Sequence, residues 1–243
     1  MTYSVIAKCP ESGAVGLAMT SATINTSRVT PFVNGVLPTL SEHGFICSLQ
    51  AFVNPMLGYE SVRVLEKGSS LEQLGEHLKS YDACWDRRQL GILKVSGEVY
   101  AHTGEDCFPA AAHIKGDGYV VLGNAMAEGA IPAMAEAFER SQGEELAERL
   151  MSTLEAGMVA GGQEFEGQHL AEYASSLAVY DGKRPYPAVD LRVDFDLDAV
   201  GKLRRLLRHI TGDQADKWFE ALFKGEMEEI DPTWLLETAG KQI

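Results

Sequence analysis

Recognisable metal and redox motifs are missing from this chain. Its four cysteines, Cys9, Cys47, Cys84 and Cys107, lie far apart, with no C-x-x-C pair and no histidine at matching spacing. That pattern excludes a spacing-defined zinc or dithiol site, and in a chain long enough to fold without cross-links it points to a reducing compartment. No apolar run approaches the roughly 18 residues that would cross a bilayer. The start, Met-Thr-Tyr-Ser-Val-Ile-Ala-Lys, lacks a basic stretch ahead of a long apolar one, so no secretory signal is expected and the reading is cytoplasmic. Positive charge is also scarce. Against 35 acidic residues there are 21 basic ones, a net −14, which repels nucleic acid and anionic membranes and leaves a small molecule as the expected partner. The basic cluster Arg204, Arg205 and Arg208 reads as the solvated face of a helix. The glycines between 116 and 129 do not space as a phosphate-binding loop, and His43, His102 and His169 form no metal pattern, so no cofactor is expected.

What the chain does have is apolar residues, 45% of its 243, enough for a substantial core. β-Branched and aromatic residues at 2–7 and 15–19 flank Pro10-Glu11-Ser12-Gly13 and predict a hairpin; strands follow at 33–37 and 44–49. Asn54-Pro55 opens a helix ending at Gly68, and Ser70 with Gln73 forms a capping box for a second through Leu78. A hairpin turning at Ser96-Gly97 joins 90–95 to 98–102, and a strand at 119–122 precedes helices at 131–139 and 144–158. Strands at 175–180 and 189–193 lead into helices at 200–209, 215–223 and 232–239. Hairpins dominate over β-α-β units, which predicts an α+β fold of antiparallel sheets with helix pairs outside. The division expected is a domain over 1–198 and a helical C-terminal extension over 199–243.

Several short stretches recur in one known family in this order. They are Thr2 to Ala7, the strand end at Ala18 to Ser21, Gln50-Ala51-Phe52-Val53-Asn54-Pro55, Arg88-Gln89-Leu90-Gly91, Thr103-Gly104 and Cys107. Gly123-Asn124, Gly161-Gly162 and Val189-Asp190-Leu191-Arg192-Val193 complete the set. Over roughly residues 2–200 the chain resembles domain-of-unknown-function family 1028. The resemblance implies membership of the N-terminal-nucleophile (Ntn) hydrolase superfamily and a four-layer α-β-β-α sandwich. This chain departs from the family at Ala22-Thr23-Ile24-Asn25, and again at Gln163-Glu164-Phe165-Glu166-Gly167-Gln168, where an arginine-rich run is usual. Both departures bear on substrate preference.

With that resemblance, Thr2 becomes the candidate nucleophile. Once Met1 is removed, hydroxyl and α-amine belong to one residue, and an amine of reference pKa about 7.7–8.0 can serve as its base. An acyl-transfer site also needs donors for an oxyanion, for which Asn124 is the first candidate, followed by Gln50 and Asn54. Asn54 before Pro55 also reads as a helix cap, and Asn124 as a turn residue with positive φ. Ser21 would lie beside Thr2 if their strands pair. Asp190, Arg192 and Asp194 alternate along one strand face, as a substrate-lining stripe or an ion-pair ladder. Cys107 with His113 is a rival nucleophile and base. The leading expectation is an amidohydrolase acting on a small amide or related C–N bond. The alternatives are a non-catalytic binding or assembly protein on the same fold and a cysteine hydrolase using Cys107. A homo-oligomer is the default expectation.

Overall fold

Both faces of the segment Thr-Tyr-Ser-Val-Ile-Ala-Lys are apolar or small, so it can be buried on both sides, and it occupies the centre of a sheet. A computed structural model describes residues 1–210; the helices expected at 215–223 and 232–239 lie outside the described residues. Strand β1 (Thr2–Lys8) pairs antiparallel with β2 (Val15–Ser21) on one side and β8 (Tyr119–Asn124) on the other. Outward from these lie β7 (Ala112–Gly116), β11 (Ala174–Tyr180) and β12 (Val189–Val193), giving the order β12-β11-β2-β1-β8-β7. A second sheet has the order β3-β4-β5-β6, from β3 (Pro31–Asn34), β4 (Phe45–Ala51), β5 (Arg88–Lys94) and β6 (Val99–Thr103). Every pairing in both sheets is antiparallel, as the hairpin pattern predicts.

The period-2 alternation of the strands divides the core into three bodies. Tyr3, Val5 and Ala7 of β1 pack with Met134, Phe138, Leu150 and Leu154 of helices α3 (Ala130–Arg140) and α4 (Leu146–Val159). Phe45, Cys47, Leu49, Leu90 and Ile92 pack with Leu57, Leu74 and Leu78 of α1 (Met56–Leu65) and α2 (Leu71–Tyr81). Between them, Ile6, Leu17, Val120 and Leu122 meet Ile46 and Leu93, one sheet against the other. Gly91 permits that close approach, since a Cβ there would lie 3.3 Å from both Ile6 Cδ1 and Leu122 Cδ2.

Local signals account for most element boundaries. The capping box at Ser70 forms as its spacing predicts, with Gln73 N donating to Ser70 Oγ at 3.2 Å and Ser70 N to Gln73 Oε1 at 2.9 Å. The third strand ends at Asn34 rather than 37, because Gly35 takes φ +62° and accepts from Ser41 N, turning the chain away. Two hairpin elements escape the sequence reading: β7, an edge strand, and the pair β9 (Gln163–Phe165) and β10 (Gln168–Leu170). The latter are too polar for an apolar alternation to reveal. Their turn carries positive φ at both Glu166 (53°) and Gly167 (76°), as a tight hairpin requires.

Helix α5 (Ala199–Ile210) buries Val200, Leu203 and Leu207 in the same body as α3 and α4. The basic cluster on α5 is not uniformly solvated. Arg204 is half-buried and paired with Glu155 at 2.7–2.8 Å and with Glu148, both on α4, while Arg205 pairs with Asp198 and Arg208 is exposed. No helix among the described residues is long and apolar enough to cross a membrane.

Candidate functional site

The layer between the sheets is apolar at one end and polar at the other. Moving from Ile6 toward the start of β1, the inward-facing residues become Ser4 and Thr2. The same change runs along the neighbouring strands, where Leu122 gives way to Asn124, Ile46 to Ser48 and Gln50, and Leu93 through Gly91 to Gln89. Thr2, Ser4, Ser21, Ser48, Gln50, Gln89 and Asn124 are all nearly or fully inaccessible to solvent. Polar groups taken out of water in such numbers must satisfy one another.

They do so through a connected network. Thr2 stands opposite Ser21 on one side and Asn124 on the other. Its hydroxyl donates to Ser21 Oγ at 3.1 Å, and Ser21 Oγ donates to the carbonyl of Met1 at 2.6 Å. Asn124 Nδ2 donates to Thr2 O at 3.3 Å and to Gln89 Oε1 at 3.0 Å. Gln50 Nε2 also donates to Gln89 Oε1, at 3.0 Å, and Ser4 Oγ lies 2.8 Å from Ser48 Oγ. Gln89 Nε2 in turn donates to Thr103 Oγ1, Ala112 O and Gly123 O at 2.8–3.1 Å. Since all three are acceptors in this arrangement, the Gln89 amide has one orientation, and it sets the orientation of Asn124.

Asn124 therefore spends both amide hydrogens, and its Oδ1 is buried without a partner. The left-handed conformation belongs not to Asn124 but to its successor, Ala125 (φ 52°), and equally to Ala51 (φ 64°), the successor of Gln50. Left-handed backbone at non-glycine residues is costly and gathers at functional sites, and here it ends two of the three strands that deliver an amide side chain, those of Gln50 and Asn124.

Thr2, Ser21, Gln50 and Asn124 are thus brought together. The other candidates sit elsewhere. Asn54 stands ahead of α1, whose cap position is Pro55; it accepts from Met56 N at 3.1 Å and donates to Asp82 Oδ2 at 2.7 Å. Asp190 and Arg192 are exposed on the edge strand β12, with Arg192 paired to Asp194 at 3.0 Å. Cys107 Sγ donates to Arg88 O at 3.4 Å, and His113 Nδ1 bonds Thr103 Oγ1 at 2.9 Å, so each has a different partner.

Sequence reasoning misses Ser4, Ser48 and Gln89; Gln163 and Ala22 lie in the two segments where the sequence departs from the family, and the structure joins them, Gln163 Oε1 accepting from Ala22 N at 2.7 Å. The available signal was a polar residue alternating with aliphatic ones in strands otherwise apolar on both faces. Thr20, adjacent to Ser21, faces the opposite side and donates to Ala174 O.

Burial governs the titrating groups. It lowers the pKa of the chain-start amine, which favours the neutral, basic form. Burial pushes the Cys107 thiol up, away from thiolate. On the helix side of β1, burial and the neighbouring Glu172 carboxylate raise the Tyr3 hydroxyl, which donates to Glu172 Oε1 at 3.3 Å.

A family model described as "Family of unknown function (DUF1028)" matches residues 2–203. The crystal structure of protein SPO2555 from Silicibacter pomeroyi, titled with the same family, is similar over 89% of this chain and 92% of that one. Its TM-score is 0.74 at 24% identity, a likeness of fold. No curated protein matches.

Proposed function

We propose that this chain, which belongs to the family of unknown function DUF1028, is an amidohydrolase of the N-terminal-nucleophile type acting on a small amide or related C–N bond. We read its two sheets and flanking helices as the four-layer α-β-β-α sandwich of that superfamily. The observation that carries the reading is the position of Thr2. A hydroxyl at the start of the central strand lies at the end of a buried polar network and is hydrogen-bonded to Ser21.

With Met1 removed, the α-amine of Thr2 takes the proton of its own hydroxyl as Oγ1 bonds the substrate carbonyl carbon. The tetrahedral intermediate collapses, the C–N bond breaks, and the α-ammonium returns the proton to the departing amine. Water then hydrolyses the ester on Thr2 with the same amine as base. Loss of Met1 also frees the Ser21 hydroxyl, now spent on the Met1 carbonyl, to donate to substrate. For Asn124 to donate to an oxyanion it must release Thr2 O or Gln89 Oε1.

A second reading, a small-molecule-binding protein without catalysis, draws support from that closed network, in which the Asn124 donors are already used. A cysteine hydrolase draws less, because the Cys107 thiol is raised and bonded to backbone. The test is a panel of small amides, ureido acids and acylated amino acids, offered to protein whose chain start has been read by intact mass. Hydrolysis by wild type, lost in Thr2→Ala and partly kept in Thr2→Ser, supports the leading reading. Uniform retention of Met1 in protein from the native cell overturns it, because an amide nitrogen is not a base.

A further inference from the structure

Two of the buried polar atoms that lack a partner among the described residues adjoin the chain start: Asn124 Oδ1, an acceptor, and Gln163 Nε2, a donor. Neither can be exchanged by turning its amide over. Asn124 Nδ2 faces two acceptors, and Gln163 Oε1 is held by the backbone N–H of Ala22 at 2.7 Å. An orphaned buried donor and an orphaned buried acceptor each cost free energy, and such groups persist where a ligand completes them.

Register places them on the two flanks of one position. Thr2 pairs with Ser21 and with Asn124, and Met1 precedes it beside the ends of both neighbouring strands, which continue into Ala22 and Ala125. Gln163 is bonded through its side chain to Ala22, bridges Met126, and is followed by Glu164, whose N–H donates to Ala125 O. It therefore spans the same gap that Met1 enters. Gly162, which precedes it, takes φ +59°, a left-handed turn that starts β9 at this point.

We propose that Gln163 and Asn124 form a carboxamide-recognition pair for the space Met1 vacates. Gln163 Nε2 donates to the carbonyl oxygen of the ligand and Asn124 Oδ1 accepts its N–H. The ligand class is a primary or secondary amide, in distinction from an ester, which has no N–H to offer. This rests on the amidohydrolase reading only for the fate of the amide, since recognition does not require cleavage. In that reaction Gln163 supplies the oxyanion donor that Asn124, with both hydrogens spent, does not.

The test uses Met1-free protein and follows side-chain amide resonances by NMR, with the Gln163 signal assigned in the wild-type protein by through-bond correlation to its own backbone. Acetamide is expected to shift the Gln163 signal, and methyl acetate to bind at least about tenfold more weakly. Gln163→Glu keeps the acceptor for Ala22 but has no donor, and in that variant the preference, read on the Asn124 side-chain amide, should be lost. Equal shifts by both probes, or none at Gln163, overturn the pair even if the variant fails to fold. Acylation of Thr2 by p-nitrophenyl acetate, read as a mass gain on the N-terminal peptide, reports on the nucleophile separately. An amide-specific shift without acylation keeps the pair and removes the hydrolase. Acylation without an amide-specific shift does the reverse.

Discussion

At the scale of the residue, the chemistry turns on whether a single amine is free. Removal of Met1 should be complete in the native protein, and Thr2→Ala should fold with an unchanged melting temperature while losing hydrolysis. Burial lowers the Met1 amine; Thr2 is more deeply buried still, so its amine, once freed, is expected to be desolvated and neutral, the form that acts as base. The sign of the pH dependence follows: kcat/KM should fall as pH drops through a midpoint at or below about 7.7–8.0, where the amine becomes protonated. A rate that rises on acidification would remove the amine from the mechanism. If Asn124 releases a hydrogen to the oxyanion, Asn124→Ala should lower kcat by about 10²–10³; if Gln163 is the donor instead, that loss should appear in Gln163→Glu and be smaller in Asn124→Ala. Because Asn124 itself does not hold positive φ, Asn124→Gly should be no better than Asn124→Ala. Recovery of activity in the glycine variant alone would assign it to the turn at Ala125 instead.

At the scale of the element, Asp82 joins three of them. It accepts from Asn54 ahead of α1, from Arg88 at the start of β5 at 3.0–3.2 Å, and from Cys84 N at 2.8 Å, itself closing α2. Its side chain is 4% exposed, so losing it leaves Arg88 largely out of water without its carboxylate. Asp82→Ala should cost about 3 kcal/mol in denaturant unfolding. Burial alone would raise the Asp82 carboxyl, but the hydrogen bonds from Arg88, Asn54 and Cys84 outweigh it and hold it below the usual carboxylate range. Its contribution is therefore present above about pH 3.9, the unfolded value, and lost as pH falls through the lower folded one. Acid unfolding of Asp82→Asn should be correspondingly shallower. The cap on α2 is a smaller, local matter, and Ser70→Ala should cost about 1 kcal/mol.

At the scale of the whole molecule, the thiols report compactness. Cys9 and Cys47 are buried, Cys107 is half-buried and Cys84 is exposed, all of them free. A thiol reagent should modify Cys84 rapidly in the folded protein, Cys107 slowly, and all four after denaturation. Fewer than four in the denatured protein would contradict the reduced state. The two sheets meet through aliphatic residues at one end and amides and hydroxyls at the other, so the same layer that stabilises the fold also houses the candidate site.

Local chemistry made much of this legible in advance. The β-branched and aromatic runs of β1, β2, β5 and β6, the Ser70 capping box and the Ser96-Gly97 turn are each decided within a few residues, so the antiparallel elements could be read from the chain. Thr2 as candidate nucleophile comes from the family resemblance and not from its position alone, and it stands as a proposal. Strands β7, β9 and β10 were not legible, since edge and hairpin strands need no apolar alternation. Asn54 before Pro55 already reads as part of a helix start, but only the structure shows that Gln50, four residues earlier, points between the sheets while Asn54 stands ahead of α1 and bonds Asp82. Gln163 and Gln89 reach the neighbourhood of Thr2 from elements distant in sequence, through strand register and a hydrogen-bond network that excludes water. Only the packing of two sheets decides that, because a buried amide is given its orientation by partners the local chain does not supply.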